Sequence, residues 1–96
     1  MANLLVVGGT GFVGRAVVSA ALTRGHDVTL LNRGSQRTDD TAQLLADRDR
    51  PEQMALALAG ASFDAVLDTN CYTGAQARSL IEALGGRPPP ALIISS

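Results

Sequence analysis

Short apolar runs alternate along the chain with segments in which apolar residues recur at helical spacing. The first run is continuously apolar after Asn3, which is typical of a parallel strand buried on both faces. The pattern predicts strands at residues 3–7, 28–31, 42–46, 63–67 and 91–94. The segments between them predict helices that end at glycine, namely Gly25, Gly60 and Gly85 or Gly86.

Each predicted helix has an apolar face that can pack on a sheet. These faces comprise Val13, Ala16, Val17, Ala20 and Ala21 in the first helix, Met54, Ala57 and Leu58 in the second, and Ala77, Leu80, Ile81 and Leu84 in the third. In the first helix, Arg15, Ser19 and Thr23 line the opposite, polar face. Thr73 and Gln76 predict a capping box at the start of the third helix, because their side chains can bond two otherwise unpaired backbone amides.

Strands separated by helices require a parallel sheet with helices on both faces. Because crossovers are short and right-handed, few topologies remain. We predict a Rossmann-type, doubly wound α/β sheet with the strand order 3-2-1-4-5. The connection between the second and third strands is short for a parallel crossover, so a single turn is expected there instead of a full helix. Residues 1–96 are predicted to form one dinucleotide-binding domain that stops after the fifth strand.

The composition favours a small cytoplasmic protein. The chain has 96 residues, enough for one small domain, and its net charge of −1 leaves no basic patch that would argue for nucleic acid. The single cysteine, Cys71, excludes an internal disulfide and suits the reducing cytosol. No apolar run approaches the roughly 18 residues of a membrane span, and no signal peptide is visible. We therefore expect no membrane contact.

A glycine-rich segment follows the first predicted strand and opens the first predicted helix. It consists of Gly8, Gly9, Thr10, Gly11, Phe12, Val13 and Gly14, and it contains a G-x-G-x-x-G motif. Glycine at position 11 lets a pyrophosphate approach the backbone, and glycine at position 14 lets the helix pack close to the strand. The free amides and the dipole of the helix then favour an anion. This segment predicts a dinucleotide site; the alternative is a tight turn that binds nothing. A P-loop is excluded because no Gly-Lys-Ser/Thr follows.

The end of the second predicted strand indicates which dinucleotide is bound. An acidic residue there bonds the ribose 2′-hydroxyl of NAD, whereas an arginine can hold the 2′-phosphate of NADP. The chain has Asn32 and Arg33 at this point and no carboxylate. Arg33 offers a planar fork to a phosphate, and Arg15 and Arg37 can assist it. The prediction is NADP in preference to NAD; the alternative for Arg33 is a solvated loop residue.

Two further groups of polar residues are expected at the same edge of the sheet, where ligands of such folds bind. Asp47 and Arg48 follow the third strand, and Asp47 can accept from the adenine amino group. The alternative is that Asp47 or Asp49 caps the next helix. After the fourth strand, Asp68, Thr69 and Asn70 can border the ribose and the nicotinamide.

No residue of the chain is predicted to be catalytic, and no metal ligands are predicted. Cys71 has no base beside it in the sequence and is expected to pack in the interior. His26 follows Gly25 at the far end of the sheet from the glycine-rich segment. Tyr72 has no lysine four residues later, so it is expected to contact the cofactor or to cap the crevice.

These segments resemble the extended or atypical short-chain dehydrogenases, also known as the NAD-dependent epimerase/dehydratase family. The resemblance covers the whole chain and rests on residues 8–15, 24–28, 31–34, 47–48, 63–68 and 93–96. The glycine-rich segment is its most specific part. The Asn32-Arg33-Gly34 segment resembles the atypical branch, which includes nucleotide-sugar epimerase-like proteins and some RNA-associated plastid relatives.

The resemblance implies an enzyme that transfers hydride to or from a sugar nucleotide or a related carbonyl compound, with NADP or NAD as cofactor. It places the catalytic Ser or Thr just after Ser95 and Ser96, and a Tyr-x-x-x-Lys pair later still. This chain has no lysine. We therefore expect a fragment that binds the cofactor without turnover. The alternative is a non-catalytic module that senses NADP(H) or associates with RNA. The exposed edge of strand five would also allow a second copy of the chain to pair with it as a homodimer.

Overall fold

The five predicted strands and three predicted helices are all present in the computed structural model, which describes residues 2–8, 12–34, 41–86 and 89–94. In chain order the elements are β1 (Asn3–Val7), α1 (Phe12–Thr23), β2 (Asp27–Asn32), β3 (Ala42–Leu45), α2 (Pro51–Leu58), β4 (Ala65–Asp68), α3 (Gly74–Ala83) and β5 (Ala91–Ile94). The bounds of β1 and β5 are as predicted. The strand β4 begins two residues later and ends one residue later than expected, so that Asp68 is its last residue.

The strands form one parallel sheet in the order β3-β2-β1-β4-β5, which confirms the predicted doubly wound topology. Val7, the last residue of β1, pairs with Leu31 on one side and with Asp68 on the other. The carboxyl ends of β1, β2 and β4 therefore meet at the same edge of the sheet. The connection from β2 to β3 is short, as predicted; the single turn expected in it falls on residues 35–40, which lie outside the described residues.

Successive residues of β1 point to opposite faces of the sheet, and each face is covered by helices. Leu5 and Val7 belong to a core that includes Met54 and Leu58 of α2 and Leu80 of α3. The other core contains Val6, Val18, Ala21, Val28 and Leu30, and it joins α1 to the opposite face. Helices on both faces were predicted and are confirmed, because every residue of β1 from Leu5 to Val7 is buried.

The apolar face predicted for α1 was wrong in part. Among the residues of this helix whose burial is described, Gly14, Val18 and Ala21 are buried, and Ala21 was predicted to be, whereas Ala16, Val17 and Ala20 are exposed. Most residues of α1 are small or apolar, so the pattern alone defined the face poorly. Packing of Val18 and Ala21 against β2 decided the orientation. The polar face of Arg15, Ser19 and Thr23 is exposed, as predicted. The side chain of Val13 lies outside the described residues.

The start of α3 forms the predicted pair of caps with one difference. Thr73 Oγ1 accepts from the backbone amide of Gln76 at 3.1 Å. The Gln76 side chain accepts from the amide of Tyr72 at 2.8 Å, one residue before Thr73.

The last strand, β5, is an edge strand of the sheet, and its Ile93 is 61% exposed. No helix within the described ranges is long and apolar enough to cross a membrane.

Candidate functional site

The carboxyl ends of β1 and β4 approach each other closely at Gly8. Gly8 has a φ of +89° and donates its amide to Leu31 O at 2.8 Å. On the other side, Thr69 donates to Val7 O from both its amide, at 3.0 Å, and its hydroxyl, at 2.8 Å. A Cβ on Gly8 would lie 2.6 Å from Thr69 Oγ1. Glycine is therefore required at position 8 both by the backbone conformation and by the space available.

The glycine-rich segment connects the end of β1 to the start of α1, which is the strand-to-helix setting that its motif requires. Gly14 is buried in the first turn of the helix, in agreement with the close helix–strand packing expected there. Gly9, Thr10 and Gly11 lie outside the described residues, as do the side chains of Phe12 and Val13. The backbone of the first turn of α1 thus begins beside the carboxyl edge of the sheet.

Asn32 joins the glycine-rich segment to the turn after β2. Its Nδ2 donates to Gly8 O at 3.3 Å. Its Oδ1 accepts from the amide of Gly34 and from Gln43 Nε2, both at 2.7 Å. Three contacts within the protein occupy most of the hydrogen-bonding capacity of this side chain. Asn32 therefore holds two loops together at the predicted site, and a direct contact with cofactor stays a prediction.

A shallow cleft of about 280 Å³ lies beyond the ends of β2 and β3. It is lined by Arg33, Leu45, Ala46, Asp47 and Gln53. Arg33 is exposed, and its guanidinium makes no hydrogen bond or ion pair within the described residues. Leu45 is 64% exposed although it is a large apolar residue. The cleft thus combines a cation that has no partner among the described residues with a carboxylate and an uncovered apolar surface, which together suit an adenosine with an attached phosphate.

Asp47 is held at the rim of this cleft by its neighbours. Its amide donates to Gln53 Oε1, and its Oδ1 accepts from the amide of Asp49, both at 2.9 Å. The N-cap of α2 is Arg50, and no side-chain cap hydrogen bond is present there within the described residues. Neither Asp47 nor Asp49 therefore caps α2, so the capping alternative for these residues was wrong. The contact of Asp47 with adenine remains a prediction.

Arg48 and Asp68 form a buried ion pair that sequence reasoning missed. Arg48 Nη1 lies 2.6 Å from Asp68 Oδ1, and the two side chains are 7% and 0% exposed. Two other strands separate β3 from β4 in the sheet, so only the folded chain brings these residues together. Arg48 also donates to Asn70 O at 2.9 Å and to Gln76 O at 3.1 Å. Its guanidinium lies inside the protein, so the geometry does not favour the direct cofactor contact predicted for Arg48.

Asn70 lies where the ends of β1 and β4 meet. Its amide donates to Asp68 Oδ1 at 3.0 Å, and its carbonyl accepts from Arg48. Its Cβ is 3.4 Å from the position that a Cβ on Gly8 would take. The residue is exposed, and its side-chain amide makes no hydrogen bond within the described residues. The backbone of Asn70 is thus fixed while its side chain remains available.

The remaining candidates are placed as follows. Cys71 is buried, and its thiol donates to Thr73 O at 3.5 Å. Tyr72 is 70% exposed at the start of α3. His26 lies at the opposite edge of the sheet, where its Nδ1 accepts from the amide of Ala2 at 3.0 Å. Arg37 lies outside the described residues. Within the described ranges, no cluster of His, Cys, Asp and Glu could hold a metal ion.

Comparison with known proteins identifies the family. The profile of the NAD dependent epimerase/dehydratase family matches residues 4–84. That range contains the glycine-rich segment, the cleft and the buried ion pair. The chain belongs to this family, and a nicotinamide dinucleotide is the cofactor that the family implies.

Three proteins illustrate the similarity. A photosystem II assembly factor, Ycf39 of Trieres chinensis, is 37% identical over 73 residues, which are 71% of this chain and 22% of that protein. A protein of Burkholderia cenocepacia J2315 with a provisional epimerase assignment superposes with a TM-score of 0.80 and 28% identity, over 98% of this chain and 37% of that one. A short-chain dehydrogenase/reductase superfamily protein of Agrobacterium tumefaciens, solved with bound NAD, gives a TM-score of 0.73 and 22% identity, over 98% of this chain and 32% of that one. The chain spans about a fifth of the length of the curated relative.

Proposed function

We propose that this chain binds a nicotinamide dinucleotide across the carboxyl edge of its sheet, with NADP preferred to NAD. The observation that carries the proposal is the cleft in which the carboxylate of Asp47 lies together with the guanidinium of Arg33, which has no partner in the part of the chain that the structure describes. Arg33 follows directly after β2, at the position that reads the ribose 2′ substituent in such folds. An arginine there and the absence of a carboxylate on the last residue of β2 favour a 2′-phosphate.

The other parts of the dinucleotide have matching positions along the same edge. The pyrophosphate lies on the glycine-rich segment, Gly8–Gly14, where backbone amides and the dipole of α1 favour an anion. The adenine packs on the exposed face of Leu45 and donates its amino group to Asp47. The nicotinamide end extends toward Asn70, whose side-chain amide makes no hydrogen bond to any residue that the structure describes. When bound, the cofactor supplies hydride transfer, and the residues of this chain bind and orient it.

For the whole protein we propose an epimerase, dehydratase or reductase that acts on a sugar nucleotide or a related carbonyl compound. The family match supports the cofactor part of this proposal, and residues 1–96 then form its dinucleotide-binding domain. We place the catalytic groups and the substrate pocket outside residues 1–96, because the Tyr-x-x-x-Lys pair that the resemblance implies requires a lysine and this chain has none. We place the protein in the cytosol, in line with its single, unpaired cysteine.

A binding module without turnover is the second candidate. The similarity to Ycf39, which is named as an assembly factor and not as an enzyme, favours it. Such a module would use the same dinucleotide site to sense NADP(H) or would associate with RNA. A turnover assay on the full-length protein separates the two candidates. A reductase consumes NADPH when a carbonyl substrate is added, and an epimerase or dehydratase converts a sugar nucleotide to product while it regenerates its cofactor, whereas a binding module does neither.

Calorimetric titration of the chain with NADP+ and with NAD+ tests the proposal directly. We expect binding of both, with the lower dissociation constant for NADP+. Replacement of Gly11 by Val should abolish binding of both cofactors, because a side chain would occupy the place of the pyrophosphate. Unchanged affinity in a folded Gly11→Val variant, or equal affinity of the parent chain for the two cofactors, would contradict the respective part of the proposal.

A further inference from the structure

The buried guanidinium of Arg48 is connected to three different parts of the chain. It pairs with Asp68 at the end of β4, and it donates to the carbonyls of Asn70 and of Gln76 in the first turn of α3. Arg48 itself follows β3, which is separated from β4 by β2 and β1 in the sheet. One side chain therefore fixes the loop after β4 and the start of α3 relative to the loop after β3.

The contact that matters for the site is the one to Asn70. Asp68 Oδ1 accepts from the Asn70 amide, and Arg48 Nη1 donates to the Asn70 carbonyl. Both polar groups of the Asn70 backbone are thus held by the two members of one ion pair. The side chain of this residue begins 3.4 Å from the position of a Cβ on Gly8, where the glycine-rich segment starts. A shift of the Asn70 backbone would move its amide relative to a dinucleotide on that segment.

Stability alone does not account for an ion pair at this place. Desolvation of two buried charges offsets much of their attraction, and apolar pairs of similar size are often as stable. The pair also leaves Arg48 Nε and Asp68 Oδ2 buried without a partner within the described residues, which is unfavourable. Two charged groups that carry this cost while they hold one backbone residue between them indicate a role in orientation.

We propose that Arg48 is a positioning residue for the bound dinucleotide, acting through Asn70 without touching the cofactor. This inference rests on the proposed function. It replaces the direct cofactor contact predicted for Arg48 by an indirect one. The contacts that hold Asp47 at the adenosine cleft come from Gln53 and Asp49 and do not involve the guanidinium. Arg48 therefore affects the nicotinamide half of the dinucleotide and not the adenosine half.

The test uses the double variant Arg48→Met/Asp68→Asn, which removes both charges and so leaves no unpaired buried ion. Asn at position 68 keeps an oxygen for the amide of Asn70, while the contact to the Asn70 carbonyl is lost. NADP+ affinity should fall roughly 3- to 10-fold, because the displaced side-chain amide of Asn70 loses one neutral hydrogen bond to the cofactor. Adenosine 2′,5′-bisphosphate, which lacks the nicotinamide half, should bind with unchanged affinity. Calorimetry measures both, and circular dichroism verifies that the variant is folded.

The variant Asn70→Ala shows whether the effect passes through this residue. Because Asn70 is exposed, its truncation leaves the fold intact. It should lower NADP+ affinity, and its effect should not add to that of the double variant when all three changes are combined. Wild-type NADP+ affinity in Asn70→Ala, or additive losses in the combined variant, would overturn the inference. Absence of any dinucleotide binding by the parent chain would instead overturn the proposed function.

Discussion

Thr69 Oγ1 lies 2.6 Å from the point that a Cβ on Gly8 would occupy, so the ends of β1 and β4 meet without room for a side chain. Thr69 is held there by two hydrogen bonds to Val7 O, and rotation of its side chain away from Gly8 would break the bond that the hydroxyl donates. The start of the glycine-rich segment is therefore determined by contacts with β4 as well as by the ligand that the segment is proposed to bind.

Gly8→Ala should destabilise the fold. A positive φ for a residue other than glycine costs about 1–3 kcal/mol, and displacement of Thr69 adds to this cost. Gly25→Ala is the matched control, because Gly25 has a φ of +80° but no atom within 4 Å of its would-be Cβ. Urea unfolding should show a larger loss for Gly8→Ala than for Gly25→Ala. Equal losses would show that the contact with Thr69 contributes nothing.

Arg33→Ala should weaken NADP+ and leave NAD+ almost unchanged, because only NADP+ carries the 2′-phosphate. Loss of a hydrogen bond to a charged group corresponds to about 1.5–3 kcal/mol, or roughly 10- to 150-fold in affinity. Arg24→Ala serves as the control, since Arg24 is an exposed arginine next to Gly25, at the edge of the sheet opposite the cleft. Calorimetric titration of both variants with NADP+ and with NAD+ measures the changes in affinity. Equal losses for the two cofactors would mean that Arg33 does not contact that phosphate.

Asn32→Asp should shift the preference from NADP+ toward NAD+. The carboxylate keeps an acceptor for Gly34 and Gln43, but it places negative charge beside the proposed phosphate site and loses the donor to Gly8 O. A like-charge contact at a binding surface costs a few kcal/mol, so NADP+ affinity should fall about tenfold or more. Asn3→Asp makes the same change at the opposite end of the sheet and should leave the ratio of the two dissociation constants as it was. An unchanged ratio in Asn32→Asp would place the phosphate elsewhere.

Arg48→Met should be far less stable than the double variant Arg48→Met/Asp68→Asn. The single change leaves a carboxylate that is 0% exposed without its cation, and breaking a buried pair in this way costs about 3–5 kcal/mol. The second change removes the unpaired charge, so most of this loss should be recovered. Urea unfolding of the two variants measures the difference. Equal stability of the single and double variants would show that loss of the partner for Asp68 is not the cause of the destabilisation.

Thr73→Ala should destabilise α3 by about 1 kcal/mol, because the hydroxyl of Thr73 caps the amide of Gln76. Thr23→Ala is the matched control at the end of α1. The hydroxyl of Thr23 donates to Ser19 O on an exposed face, and its loss should change stability by no more than about 0.5 kcal/mol. Thermal unfolding of the two variants compares them. A loss in Thr23→Ala as large as that in Thr73→Ala would contradict the capping role.

The alternation of apolar runs and amphipathic segments was enough to predict the fold. The bounds of β1 and β5, the strand order and the parallel pairing follow from local patterns and from the few topologies that short crossovers allow. The same holds for the strand-to-helix setting of the glycine-rich segment and for the cap on α3, because each depends on residues that are close in sequence. The exception is α1, whose apolar residues surround much of the helix, so that only packing against β2 selected the buried face.

The functional site shows the same difference between what local sequence predicts and what long-range contacts decide. Arg33 and Asp47 could be placed at one edge from sequence, because each directly follows a predicted strand and parallel strands end on the same side. The partners of Arg48 could not, since a guanidinium reaches in any direction and its contacts come from residues 20 to 28 positions away. Arginine and aspartate are ordinarily exposed, so the burial of Arg48 and Asp68 results from the packing of the loops and not from their residue types. The sequence by itself therefore determined where the ligand edge lies, and only the tertiary structure decided which of its polar side chains face that edge and which hold it together.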